Sequence, residues 1–226
     1  MLLSIMSVFD PSSHFLFMLS SINWLTMFVI FFFLNWNFWM NFSGLNMIIK
    51  NMIKYLIEEL QEGFKNFKST MFFLVSIFFI IFFSNQSGMI PYVFTVTSHI
   101  VFNLSLSFPL WFGGLIFMFS SSMKKSLAHL VPQGSPTILI PFLVLIETTS
   151  LMIRPFSLAI RLMSNIMAGH MILVLIGSSL SILSSFFGLI VLFQFFFIIF
   201  EIAVAMIQAY VFTKLLSLFW QENEVL

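Results

Sequence analysis

RPFSLAIRLMSNIMAGHMILVLI, running from Arg154 to Ile176, sets Arg154, Arg161, Asn165 and His170 inside membrane-grade apolar sequence. A guanidinium cannot escape burial by losing its proton. At the centre of a membrane helix it costs roughly 2.5–3.5 kcal/mol on insertion scales. Arg161 is therefore expected to face protein or water and to serve a function there.

The rest of the chain supports a membrane reading. Of 226 residues, 60% are hydrophobic and 8% charged. No soluble domain hides that much apolar surface, so the sequence predicts an all-α polytopic membrane protein. The formal charge of +1 gives no reason to expect a nucleic-acid partner, and the absence of Cys excludes disulfides and thiolate metal sites. The opening MLLSIMSVFDPSS has no basic n-region and no Arg-rich transit pattern, which predicts insertion through the chain's own spans. Glycine-rich phosphate loops, metal-ligand spacings and nucleophile constellations are missing, so no cofactor or metal is expected and nucleotide chemistry lies elsewhere.

Hydropathy predicts five membrane-crossing helices and one interfacial helix. Span one covers 14–40, with Trp36 and Trp39 suited to an interface. Residues 45–66 are amphipathic: Leu45, Ile48, Ile49, Met52, Ile53, Leu56, Leu60 and Phe64 recur at three- and four-residue steps. Lys50, Lys54, Glu58 and Glu62 mark another face. Such a helix is expected to lie in the membrane surface, or else to bind an extrinsic partner. Segments 69–83 and 99–120 form a helical hairpin about a loop punctuated by Gly88 and Pro91. Segments 137–176 and 186–219 are each too long for an upright span; the first would reach ~60 Å at 1.5 Å per residue. They predict a long, strongly tilted hairpin joined by a turn over 177–185, unless the first breaks at Pro155.

All seven lysines (50, 54, 65, 68, 124, 125 and 214) fall on one side of this arrangement, together with the C-terminus. The positive-inside rule then puts the C-terminus inside and the N-terminus outside.

Glu147, Arg154 and Arg161 are spaced by seven, which keeps them within about 40° of one helix line, and Asn165 shares that face. His170 points to the opposite side of an ideal helix. On the second long helix Glu201 and Gln208 are also seven apart, with Tyr210 nearby. Two carboxylates, two arginines and a His on neighbouring helices suggest a proton path. A Glu–Arg ladder that merely holds a bundle together is the structural alternative, although buried ion pairs often fail to offset their desolvation.

AIRLMSNIMAGH (159–170) and EIAVAMIQAYVFTKLLSL (201–218) resemble the signature helices of subunit a of the F-type ATP synthases. NQSGMIPYVFTVTS (85–98) and LVPQGSPTILIPFLVLIETTSLMIRPFSLAIRL (130–162) extend the resemblance, and SVFDPSS (7–13) is similar to arthropod mitochondrial forms. The resemblance implies a stator subunit of the mitochondrial inner membrane, with two long tilted helices against a rotating c-ring and further membrane stator subunits alongside. Arg161 matches the family's essential Arg, which separates two aqueous half-channels. His170 and Glu201 would line the inlet from the intermembrane space. Glu147 and Arg154 would line the outlet to the matrix, with Asn165 and Gln208 as polar helpers near the Arg. Many relatives carry Gln where this chain has Arg154, and Lys214 stands where the family pattern leads one to expect an apolar residue. An independent ion transporter or channel would show inverted repeats between its halves, which are not visible here. A purely structural membrane subunit is the remaining alternative.

Overall fold

Long runs of Phe, Ile and Leu leave the backbone to satisfy its own hydrogen bonds, and in the described residues each such run is helical. The computed structural model describes residues 9–10, 24, 44–61, 68–90, 93–121, 123, 127–128, 130–131, 136–180 and 187–225. Apart from Trp24, the span expected over 14–40 lies outside them, as do Lys65, Lys124 and Lys125. Five α-helices occur among the described residues: α1 (Gly44–Gln61), α2 (Lys68–Gly88), α3 (Ile100–Ser121), α4 (Ile140–Leu180) and α5 (Phe187–Val225). Four contain stretches long and apolar enough to cross a membrane: Thr70–Gly88, Ile100–Ser120, Ile140–Ser179 and Phe187–Gln221.

Two stretches expected as loop are helical, for one reason. The Ser–Asn–Gln–Ser run after residue 83 continues α2, because the Ser84 and Ser87 hydroxyls donate to the carbonyls of Ile81 and Ser84, each at 2.9 Å. At the other end, Gly177 to Leu180 extend α4, where Ser178 and Ser179 donate to Leu175 and Ile176 at 2.8 and 2.7 Å. A serine that bonds back three residues brings no unpaired hydroxyl into the helix, so Gly-Ser composition does not force a turn here. Likewise α4 runs unbroken through Pro155, giving 41 residues and not two short spans. Pro155 removes one backbone donor, which a membrane helix tolerates when its neighbours support it.

The core brings Leu74, Val75, Phe78 and Ile81 of α2 against Leu158 and Leu162 of α4 and Phe212, Leu216 and Phe219 of α5. Trp111 of α3 closes this cluster. The amphipathic α1 turns Ile53, Leu56, Ile57 and the buried Leu60 towards the same core, and keeps Lys54 and Glu58 outside as an ion pair at 3.8 Å. Its Glu59 holds the far end of α5: Tyr210 donates its hydroxyl to the Glu59 carboxylate, and the Lys214 ammonium lies 3.5 Å from it. Lys214 therefore has a specific partner within the chain.

Helices α3 and α5 meet closely at Gly114, where a Cβ would stand 2.6 Å from Cε1 of Phe219 and 3.1 Å from Nε1 of Trp220. A larger side chain there must push the α5 end away. Gly114→Leu is expected to cost about 1–3 kcal/mol of stability by overpacking. The check is the thermal midpoint of the purified complex; an unchanged midpoint would show that the α3–α5 approach is not tight.

Candidate functional site

The two long helices meet where their polar residues do. Asn165 of α4 donates through Nδ2 to Oε1 of Gln208 on α5 at 3.0 Å. One turn further along α4, Gly169 lies directly against the Glu201 carboxyl group: a Cβ there would overlap the carboxylate and come within 3.0 Å of Cγ. A side chain at this position would require the Glu201 carboxyl group to shift. Glu201 is 4% exposed, and neither carboxyl oxygen has a hydrogen-bond partner among the described residues.

Further polar groups lie on α2, α3, the segment between them and α4. His170 reaches the backbone of Gly88 at the end of α2, while its Nε2 is without a partner among the described residues. Gln86 donates to the carbonyl of Ile202 at 3.4 Å, joining α2 to the residue after Glu201. Asn85 is fully buried, with neither amide atom bonded among the described residues. Asn103 of α3 is equally buried; it donates to the carbonyls of Thr97 at 2.8 Å and Ala159 at 3.4 Å, leaving Oδ1 unpartnered there. Thr97 and Ser107 carry further unpartnered hydroxyls among the described residues. Ring contacts adjoin some of these groups: Phe9 meets His170 edge-on at 6.2 Å, and Trp24 lies near Phe94 and His99 at 5.8 and 5.5 Å. Buried polar atoms are ordinarily bonded to protein or to water, so these unpartnered atoms mark places suited to water.

The remaining expected residues lie apart from these groups. Arg161 is exposed and its guanidinium makes no hydrogen bond or salt bridge among the described residues. Glu147 is half-buried near the start of α4 and forms no ion pair among the described residues. The ladder alternative therefore finds no Glu147–Arg154 rung in this structure. Arg154 instead lies over the ring of Trp111, 5.8 Å from its centre. Asn165 and Gln208 are thus joined directly, and Gly169 brings His170 into the neighbourhood of Glu201. Glu147 and Arg154 belong to the other half of α4. Along the helix, Arg161 sits ~21 Å from Glu147 and ~14 Å from His170 at 1.5 Å rise per residue. Sequence reading passed over Asn85, Gln86 and Asn103, although single amides in apolar helices are a usable signal. No three of His, Asp and Glu converge as a metal site would require among the described residues.

Residues 17–221 match the family model of the ATP synthase A chain. The chain belongs to that family. It is 38% identical over 226 residues to ATP synthase subunit a of Anopheles gambiae, covering 98% of this chain and 99% of the relative. It is similarly 38% identical over 225 residues to subunit a of Artemia franciscana, covering 98% of this chain and all of that protein, a 100% share. With subunit a of Drosophila melanogaster it shares 39% over 227 residues, 98% of this chain and 99% of the relative. As an ATP synthase A chain it is the proton-translocating, non-catalytic stator subunit of the membrane sector.

The Gly169–Glu201 approach makes a sharp prediction. Gly169→Ala forces the carboxyl group from its place, so ATP-driven proton pumping per assembled complex is expected to fall at least about tenfold. Glu201→Asp, which shortens the acid, should restore part of that loss in the double variant. Pumping left unchanged by Gly169→Ala would remove Glu201's position from the path.

Proposed function

We propose that the chain forms two offset half-channels in the mitochondrial inner membrane, kept apart by Arg161, and passes protons to and from the carboxylates of a c-ring. The observation that carries this reading is the guanidinium of Arg161. It is fixed on an exposed face of a membrane-grade helix, with no acid to answer it among the described residues. Burying an unpaired charge in hydrocarbon is expensive, and a carboxylate of a partner would compensate it. An acid on a rotating partner supplies that charge as each subunit passes.

The chemistry follows from the electrostatics. Close to the Arg a ring carboxylate is favoured in its ionised form, because opposite charges attract strongly where water is scarce. Once protonated it is neutral and can cross lipid. Protons arrive by the outer half-channel, for which Glu201, His170, Asn85 and Asn103 supply acceptors and donors for a file of water. They leave by the inner half-channel past Glu147 and Arg154. The Asn165–Gln208 bond holds the two helices in register beside the Arg.

The membrane placement is part of the proposal. Helix α4, at ~60 Å, is about twice the hydrocarbon thickness, so with its partner α5 it lies strongly tilted along the ring. The span expected over 14–40 adds a fifth crossing, and α1 rests in the inner surface with its lysines towards the matrix. The C-terminus is then in the matrix and the N-terminus in the intermembrane space.

Arg161→Lys tests the barrier, because a desolvated ammonium can lose its proton where a guanidinium does not. Assembled complexes are expected to lose coupled ATP synthesis by at least about tenfold. Near-normal synthesis with normal passive proton leak would move the barrier away from this residue.

A further inference from the structure

We infer that Trp111 is a positioning residue for Arg154, holding its guanidinium at the inner half-channel. The inference rests on the reading of Arg154 as part of that outlet. Trp111 lies on α3, away from both long helices in sequence, and is 2% exposed. Its ring is stacked on Phe219 of α5, with centres 3.6 Å apart and planes 15° from parallel. The stack depends on Gly114, one turn along α3, where a Cβ would stand 2.6 Å from the Phe219 ring. Arg154 of α4 lies over the Trp111 ring at 5.8 Å. One indole therefore ties three helices, and the third contact is to a cation.

The geometry suits the charge. A guanidinium within about 6 Å of an indole centre is attracted by the electron-rich ring face, and the attraction grows as water is removed. Unlike a carboxylate, the ring does this without cancelling the positive charge it holds. The contact thus contributes to fixing where the guanidinium sits. Trp111 is itself held by Phe219, so the platform cannot swing away with Arg154. A neutral amide in place of the guanidinium would need no such platform, which links Trp111's role to the residue this chain carries.

A mutant cycle in reconstituted complexes tests this. Trp111→Leu and Trp111→Phe are each made with Arg154 present and in the Arg154→Gln background, and ATP synthesis is measured against inner pH per assembled complex. Trp111→Leu is expected to slow synthesis about threefold or more and to shift its inner-pH profile when Arg154 is present. Trp111→Phe, which keeps an aromatic face with a weaker pull on the cation, should fall between. In the Arg154→Gln background, neither substitution should shift the profile further. If Trp111→Leu fails to assemble, Trp111→Phe in the two backgrounds decides alone. Equal losses in both backgrounds, with no shift in the profile, would make Trp111 a packing residue only, and the outlet reading of Arg154 would stand. If Arg154→Gln itself leaves rate and profile unchanged, Arg154 is not in the outlet, and the inference falls with that reading.

Discussion

A fixed positive charge in hydrocarbon is the constraint on which the rest of the molecule depends. Arg161 cannot be neutralised by losing a proton, and no acid pairs with it among the described residues. Its helix must therefore present it to something else while staying intact over a long apolar stretch. Continuity through Pro155 and through the serines near residue 178 achieves this, because each hydroxyl finds a carbonyl within its own helix. The Asn165–Gln208 bond then fixes α5 beside the charge.

The two sides of Arg161 are built differently. Towards His170 lie the imidazole, the Gly88 end of α2 and the Glu201 carboxyl against Gly169, with ring nitrogen and carboxyl oxygens unpartnered among the described residues. The other side holds Glu147 and Arg154, with an aromatic platform beneath the guanidinium. Such asymmetry suits the proposed path, whose two halves must never join. Around both, Leu, Phe and Ile packing from α2 and α5 keeps the remaining volume apolar.

Helix α1 illustrates how far patterning reaches. Its three- and four-residue repeat falls on a helix, and Lys54 and Glu58 form an ion pair on the polar face. Nothing in that pattern tells that Glu59, one residue on, would accept a hydrogen bond from Tyr210 and face Lys214, more than a hundred and fifty positions away. Serine and glycine composition, on the other hand, misled at 84–88 and 177–180. Back-bonding hydroxyls let such residues continue a helix when no water competes for them.

The sequence by itself determined the class of protein, the long apolar helices, and the polar residues that stand out within them: Glu147, Arg154, Arg161, Asn165, His170, Glu201 and Gln208. Hydrocarbon makes each polar residue expensive, so those present are visible in one dimension. Tertiary structure alone decided which of them meet. Helical spacing put Arg154 on Glu147's line, yet it lies over Trp111, from another helix. Gly169 matters only because Glu201 lies against it. Asn103 reaches α4 only because α3 packs at Ala159, and His170 meets Gly88 only because α2 ends there. Periodicity fixes a residue's direction from its own helix axis; the neighbour it finds there depends on how separate helices pack.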